Sequence, residues 1–138
     1  MMPKPISVLL IEDNPMHIYL LQTFLQQTEE RSFSVSVAND LASGIAQARQ
    51  VAFDVLLLDL ILPDSQELVT LERVQAAIPA VPIIVLTGLD DEEWAERAIA
   101  IGAHSYLVKT DINAERLVLA VCAAVDAAVD EGGQVGTS

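Results

Sequence analysis

The 138-residue chain has one cysteine, Cys122, and seven basic residues against twenty acidic ones. A single thiol excludes an intrachain disulfide and a cysteine-based metal site. The basic residues, Lys4, Arg31, Arg49, Arg73, Arg97, Lys109 and Arg116, are scattered, and the net charge is −13. No basic stripe exists to neutralise phosphates, so direct nucleic-acid binding is not expected. No apolar run reaches bilayer-spanning length, and the start, MMPKPISVLL, lacks the layout of a secretory signal. No glycine-rich loop is present to cradle a nucleotide phosphate, which argues against a flavin or nucleotide carrier. These absences lead to the expectation of a cytoplasmic protein with no membrane partner.

What is present is the composition of a globular domain, 52% hydrophobic and 20% charged, long enough for one real core. Short apolar runs at 6–11, 33–38, 53–58, 82–86 and 105–108 read as strands. Helical segments lie between and after them, at about 15–28, 41–50, 66–78, 91–101 and 113–130. Such alternation implies a parallel sheet covered on both faces by helices. Runs one, three and four are nearly continuous and fit central strands; run two alternates more and reads as an edge. The expected fold is α/β and flavodoxin-like, a five-stranded parallel sheet of order 2-1-3-4-5. Its functional crevice lies beyond the carboxyl ends of strands 1 and 3.

Helix starts are marked by Asn14-Pro15, by Ser65, by Asp90 with Glu93 three residues on, and by Asn113. Gly102 marks the end of the fourth helix. The last residues, EGGQVGTS, read as a flexible tail. The expected division is therefore one domain over 1–131 and a tail over 132–138.

The strand VLLLD ends in Asp59, a carboxylate beside a core, which is costly unless something pairs with it. The other strand ends also carry chemistry: Glu12-Asp13 after strand 1, Thr87-Gly88 after strand 4 and Lys109 after strand 5. Each alone is an ordinary cap, turn or surface residue. Together they gather three acids, a hydroxyl and an ammonium at one rim. Three carboxylates in contact need counter-charge beyond one lysine. Hard oxygen ligands in an incomplete cage suit Mg²⁺ or Mn²⁺. With the metal in place, one carboxylate can attack phosphorus. Lys109, the Thr87 hydroxyl and backbone N–H groups near Leu60 and Gly88 would share the charge of the transferred group.

The motifs IEDNP (11–15), LLLDLILPDS (56–65), IIVLTG (83–88) and YLVK (106–109), in this order, resemble the receiver domain of two-component response regulators over about residues 5–128. The resemblance implies that Asp59 is the phosphoacceptor, taking a phosphoryl group from a phosphohistidine on a sensor histidine kinase or phosphotransfer protein. It implies that Asp13 binds Mg²⁺ directly and Glu12 through water, with Asp59 and the Ile61 backbone carbonyl completing the protein's share. Thr87 and Tyr106 would be the switch pair, and Lys109 would bind the phosphoryl group. The output would be a shift in the face made by the fourth helix, fifth strand and fifth helix, read by a downstream protein. The chain would modify itself without being a turnover enzyme, alone or within a phosphorelay.

Three departures accompany the resemblance. Glu67 stands where many members have glycine, so the loop before the third helix is expected to differ in conformation. Thr110 follows the lysine where many have a cis proline, which leaves the geometry of that peptide bond open. Glu12 replaces the commoner Asp.

Ile61 and Leu89, two residues beyond Asp59 and Thr87, are expected to shield the phosphate from water. On the fifth helix one apolar stripe, Leu117, Ala120, Val121, Ala124 and Ala128, can face the sheet. A second, Val118, Cys122, Val125 and Val129, suggests a homodimer or partner contact, the alternative being one broad core-facing surface. Trp94 reads as core filler or contact, His17 as a solvated residue near the mouth of the site, and His104 has no assigned role. A phosphatase of the haloacid-dehalogenase kind would need a second Asp at the place of Ile61. A degenerate receiver, acting only as an interaction module, is the remaining alternative.

Overall fold

The computed structural model describes residues 4–29 and 31–137, with side chains described as far as 128. Apolar side chains on both faces of successive strands produce a sheet buried from two sides. Its strands are β1 (Ile6–Ile11), β2 (Phe33–Ala38), β3 (Val55–Asp59), β6 (Ile83–Thr87) and β7 (Ser105–Val108). All pairs are parallel, in the order β2-β1-β3-β6-β7. This is the expected 2-1-3-4-5 order, with β2 at an edge. Two very short strands, β4 (Ile61–Leu62) and β5 (Ser65–Gln66), form an antiparallel hairpin after β3.

The two-residue period of the strands divides the core in two. Leu9, Ile11, Leu56, Leu58, Ile83 and Val85 point to one side, where they meet α2 (Leu41–Gln50), α3 (Leu68–Ala77) and α4 (Glu92–Ile101). Val8, Leu10, Val55, Leu57, Ile84 and Leu86 point to the other, towards α1 (Pro15–Gln26) and α5 (Ala114–Thr137). At the close crossing of α2, a Cβ on Gly44 would lie 2.5 Å from Ile11 Cδ1.

Several local expectations hold. The Asn14 side chain accepts from the N–H groups of Met16 and His17, with Pro15 at the first helical position. Asn113 Oδ1 accepts from Arg116 N at 2.8 Å at the start of α5. Gly102 ends α4 at φ 134°. Two caps are corrected. Asp91, not Asp90, caps α4, accepting from Glu93 and Trp94 N–H. Ser65 does not cap α3; it lies in β5, because residues 61–66 close a hairpin first, and its Oγ is hydrogen-bonded to Thr70 Oγ1 at 2.9 Å. Two strands are also shifted. The third runs 55–59 and so includes Asp59. The fourth begins at Ile83, after Pro82, which has no N–H for the ladder.

The first α5 stripe faces the core as expected, with Leu117, Val121 and Ala124 fully buried. The second is not a free surface. Val118, Cys122 and Val125 are partly buried against the same cluster, beside Ile18 and Phe24 of α1, which removes the surplus that suggested a dimer. Val129 lies outside the residues with described side chains, as do all residues of the expected tail at 132–138. Trp94 is partly buried against the first cluster, and His104 is exposed. Among the described residues, no helix is long and apolar enough to cross a membrane.

Candidate functional site at the carboxyl ends of the strands

The sheet register brings the site together. Ile11 is level with Leu58, and Asp59 with Leu86. The next residues, Glu12 after β1 and Thr87 at the end of β6, therefore arrive at the same rim as Asp59. One ligand atom from each of Glu12, Asp13 and Asp59 lies within 4.8 Å of the others, an arrangement able to hold a cation. These acids line an open cleft of about 460 Å³ with Asn14, His17, Ile61, Leu62, Pro63, Gln66, Gly88 and Lys109. Asp13 is exposed, while Glu12 and Asp59 are buried at 1% and 6% exposure.

Lys109 reaches across the rim. Its Nζ donates to Glu12 Oε1 at 2.6 Å and to Asp59 Oδ2 at 3.2 Å, and lies 3.0 Å from His17 Nδ1. The other oxygens of the acid pair accept backbone hydrogens, Asp59 Oδ1 from Ile61 N at 3.1 Å and Glu12 Oε2 from Asp13 N at 3.1 Å. Burial pushes the Asp59 carboxyl up to about 7, and its hydrogen bond to Glu12 reinforces this. Burial also raises Glu12, but the bond from Asp59 and the Lys109 ammonium outweigh it and hold that carboxyl below its ordinary value. One ammonium does not neutralise the set, so the chemistry of these oxygens fits a divalent cation such as Mg²⁺ or Mn²⁺. Glu12, Asp13, Asp59 and the Ile61 carbonyl are the groups available to hold it.

The hairpin that carries Ile61 is anchored at both ends. The Asp64 carboxylate accepts from Leu41 N at 2.8 Å and Ala42 N at 3.0 Å, joining the hairpin tip to the start of α2. These backbone bonds hold the Asp64 carboxyl below its usual range, the Leu41 bond most strongly. At the other end Glu67 N and Thr70 Oγ1 both donate to the Leu60 carbonyl, at 2.8 and 3.1 Å. Glu67 itself has φ 65° and ψ −152°, a region populated essentially by glycine alone. The glutamate is thus held in a backbone conformation that glycine adopts without strain. No cis peptide bond occurs among the described residues. The Lys109–Thr110 bond is trans, and Lys109–Asp111 forms a single 3₁₀ turn.

The remaining expected residues surround the cleft. The Thr87 hydroxyl is buried and accepts from Leu89 N at 3.2 Å. Tyr106 donates its hydroxyl to the Leu89 carbonyl at 2.7 Å. Burial, then the charge of Asp91, raise the Tyr106 hydroxyl above its ordinary value. Ile61 and Leu89 are apolar yet 50% and 43% exposed. A Cβ on Gly88 would meet nothing within 4 Å, so this glycine leaves space at the cleft.

His17 is a correction. It is not merely a solvated helix residue, because its Nδ1 touches both Lys109 Nζ and Glu12 Oε1 at 3.0 Å. The signal was present in the spacing. With Asn14 as the cap, His17 is the third helical residue, a position whose side chain folds back over the cap. Asp64 and Thr70 were also missed. Both act through contacts distant in sequence, and only the P-D pair marked a turn at Asp64.

A doubly wound five-stranded sheet with an acid pair, a strand-terminal Asp, a Thr and a Lys at its switch point defines the class. The chain belongs to the response regulator receiver domain family, whose family model matches residues 8–122. It is 30% identical over 104 residues to the transcriptional regulatory protein ZraR of Escherichia coli, covering 75% of this chain and 23% of ZraR. The probable transcriptional regulatory protein TcrX of Mycobacterium tuberculosis is 29% identical, over 96% of this chain and 56% of TcrX. The chain thus spans about a quarter to about half of these two relatives. Among solved structures, the signal receiver domain of a LuxO repressor protein from Vibrio parahaemolyticus superposes with a TM-score of 0.81 at 26% identity, covering 94% of this chain and 96% of that one. A CheY-like receiver domain from Methanospirillum hungatei gives 0.80 at 22% identity, over 93% and 99%, which speaks for the fold alone.

Proposed function

We propose that this chain is a phosphoacceptor receiver that takes a phosphoryl group onto Asp59 and changes the face formed by α4, β7 and α5. The observation that carries this reading is the meeting of Glu12, Asp13 and Asp59 within 4.8 Å, with Lys109 bonded to two of them. In the proposed step an Asp59 oxygen forms a bond to phosphorus while the P–N bond of a donor phosphohistidine breaks. The donor imidazole keeps the electron pair and takes up a proton. A bound Mg²⁺ would supply charge neutralisation to the carboxylates and the phosphoryl oxygens. Asp13 and Asp59 would hold it directly, Glu12 through water, and the Ile61 backbone through its carbonyl.

The chain's own groups divide the remaining work. β3 holds Asp59 rigidly and β6 sets Thr87 beside it. Lys109 releases its carboxylates and pairs with the phosphoryl group. Thr87 gives up the Leu89 N–H and turns to the phosphoryl oxygen, and Tyr106 leaves the Leu89 carbonyl to move in behind it. Each chain takes up one phosphoryl group, so it signals rather than turns over substrate. The donor is a histidine kinase or phosphotransfer protein, and the reader of the switched face is a protein. Ile61 and Leu89 hinder water at the acyl phosphate; polar residues at both places shorten its lifetime, and an unchanged decay rate removes them from this role.

The test is incubation of the chain with acetyl phosphate and Mg²⁺, read by intact mass. The reading predicts one added phosphoryl group, lost with a chelator and in Asp59→Asn. No addition under these conditions makes the chain an interaction module instead.

A further inference from the structure

The Lys109 ammonium has three N–H donors, and three polar atoms lie within their reach: Glu12 Oε1, Asp59 Oδ2 and His17 Nδ1. Two of these are carboxylate oxygens of the acidic cluster. The third stands outside that cluster, on α1. His17 Nδ1 is also 3.0 Å from Glu12 Oε1, and one nitrogen cannot accept from Lys109 and donate to Glu12 at once. With the imidazole proton on Nε2, the Nδ1 lone pair is open to Lys109.

A cation held directly by Asp13 and Asp59, with Glu12 behind water, competes with Lys109 for the Asp59 carboxylate. With His17 in place the displaced ammonium has a second protein partner beside Glu12. Without it the ammonium is free to settle more closely on the two carboxylates. Its present distances, 2.6 Å to Glu12 and 3.2 Å to Asp59, place it nearer to Glu12 than to Asp59. Both effects favour metal binding when His17 is present.

We propose that His17 is a positioning residue for Lys109: it holds the ammonium at the edge of the acidic cluster and so lowers the barrier that Lys109 poses to a divalent cation. The proposal rests on the receiver reading for the identity of the cation, but its action runs wholly through Lys109. His17→Ala is the first variant. The side chain is 41% exposed and belongs to no core cluster, so the fold tolerates its loss. His17→Gln restores an acceptor at similar reach.

The experiment is Mg²⁺ titration of four proteins by calorimetry: wild type, His17→Ala, Lys109→Ala and the double variant, with His17→Gln as the rescue. Loss of an orienting partner to a metal site costs about tenfold in affinity at the least. His17→Ala is therefore expected to weaken Mg²⁺ binding by about that factor, and His17→Gln to recover most of it. In the Lys109→Ala background the His17 substitution is expected to change the affinity less than twofold. Equal weakening in both backgrounds makes His17 a metal ligand or a simple electrostatic neighbour and overturns the proposal. No weakening in either background overturns it as well. A wild-type chain that binds no Mg²⁺ fails the receiver reading itself, a distinguishable result. Circular dichroism of each variant confirms that the fold is kept.

Discussion

Glu67 N donates to the Leu60 carbonyl at 2.8 Å, and the glutamate stays at φ 65° and ψ −152°. A residue with a Cβ held there stores about 1–3 kcal/mol of strain. The bond joins the residue after Asp59 to the residue before α3, so the strained residue is tied to the neighbour of the candidate phosphorylation site. Glu67 is exposed and makes no side-chain cap, so the backbone bond alone offsets the strain. Glu67→Gly is expected to stabilise the chain by about 1 kcal/mol, after the greater unfolded-state freedom of glycine is subtracted. Urea unfolding measures this; a lower midpoint for the glycine variant shows that the glutamate side chain contributes more than its strain removes.

Asp59 makes stability depend on pH in a direction opposite to an ordinary salt-bridged acid. Its folded value of about 7 lies above the 3.8 of the unfolded chain. The proton is bound more tightly in the folded state, so its stabilisation is full below about pH 4 and is lost as pH rises through about 7. Glu12, held low, contributes in the opposite sense, through stability lost as pH falls through its folded value. Asp59→Asn removes the buried charge. The metal-free variant is expected to be more stable than the parent at pH 8, by on the order of 2 kcal/mol, with the gap closing towards pH 5. Denaturation at both pH values checks it, and saturating Mg²⁺ should close the gap from the other side by stabilising the parent.

Asp64 ties the hairpin to α2 through Leu41 and Ala42 N–H. Asp64→Ala leaves both donors without this partner, while Asp40 still serves Ser43. A loss of about 1 kcal/mol is expected, as for a helix cap, and Asp64→Asn should keep most of the stability. An unchanged denaturation midpoint for the alanine variant contradicts the anchor.

Gly44 crosses Ile11 so closely that an added methyl group would displace a fully buried side chain beside Glu12. Gly44→Ala gains about 1 kcal/mol of helix propensity but overpacks the crossing at a cost of about 1–3 kcal/mol. The single variant is expected to be less stable than the parent, and adding Ile11→Val to restore it. A single variant more stable than the parent shows that Ile11 turns aside freely.

The sheet order, both core faces and the residues at the strand ends were legible because each rests on a local pattern. Apolar runs of four to six residues mark strands, and Asn14-Pro15 marks a helix start whatever surrounds it. Asp59 stood out because a carboxylate ending VLLL has no local explanation. The hairpin at 61–66 was not legible, since its strands have two residues each and no period to detect. Ser65 was misread for the same reason: its partner, Thr70, is supplied by the fold. His17 failed differently. The third helical position brings it back over the cap, but only the arrival of Lys109 from the far edge of the sheet adds that ammonium as a neighbour. The second apolar stripe of α5 was read as surplus because sequence does not show how far α1 leans across it.

On the receiver reading Asp59 becomes an acyl phosphate. Reduction with borohydride after incubation with acetyl phosphate and Mg²⁺ cleaves an acyl phosphate at its carbonyl and leaves homoserine in place of aspartate. Peptide sequencing of the reduced chain is predicted to find homoserine at position 59, dependent on Mg²⁺, with aspartate retained at 13 and 64. Aspartate retained at 59, or homoserine at another position, contradicts the account.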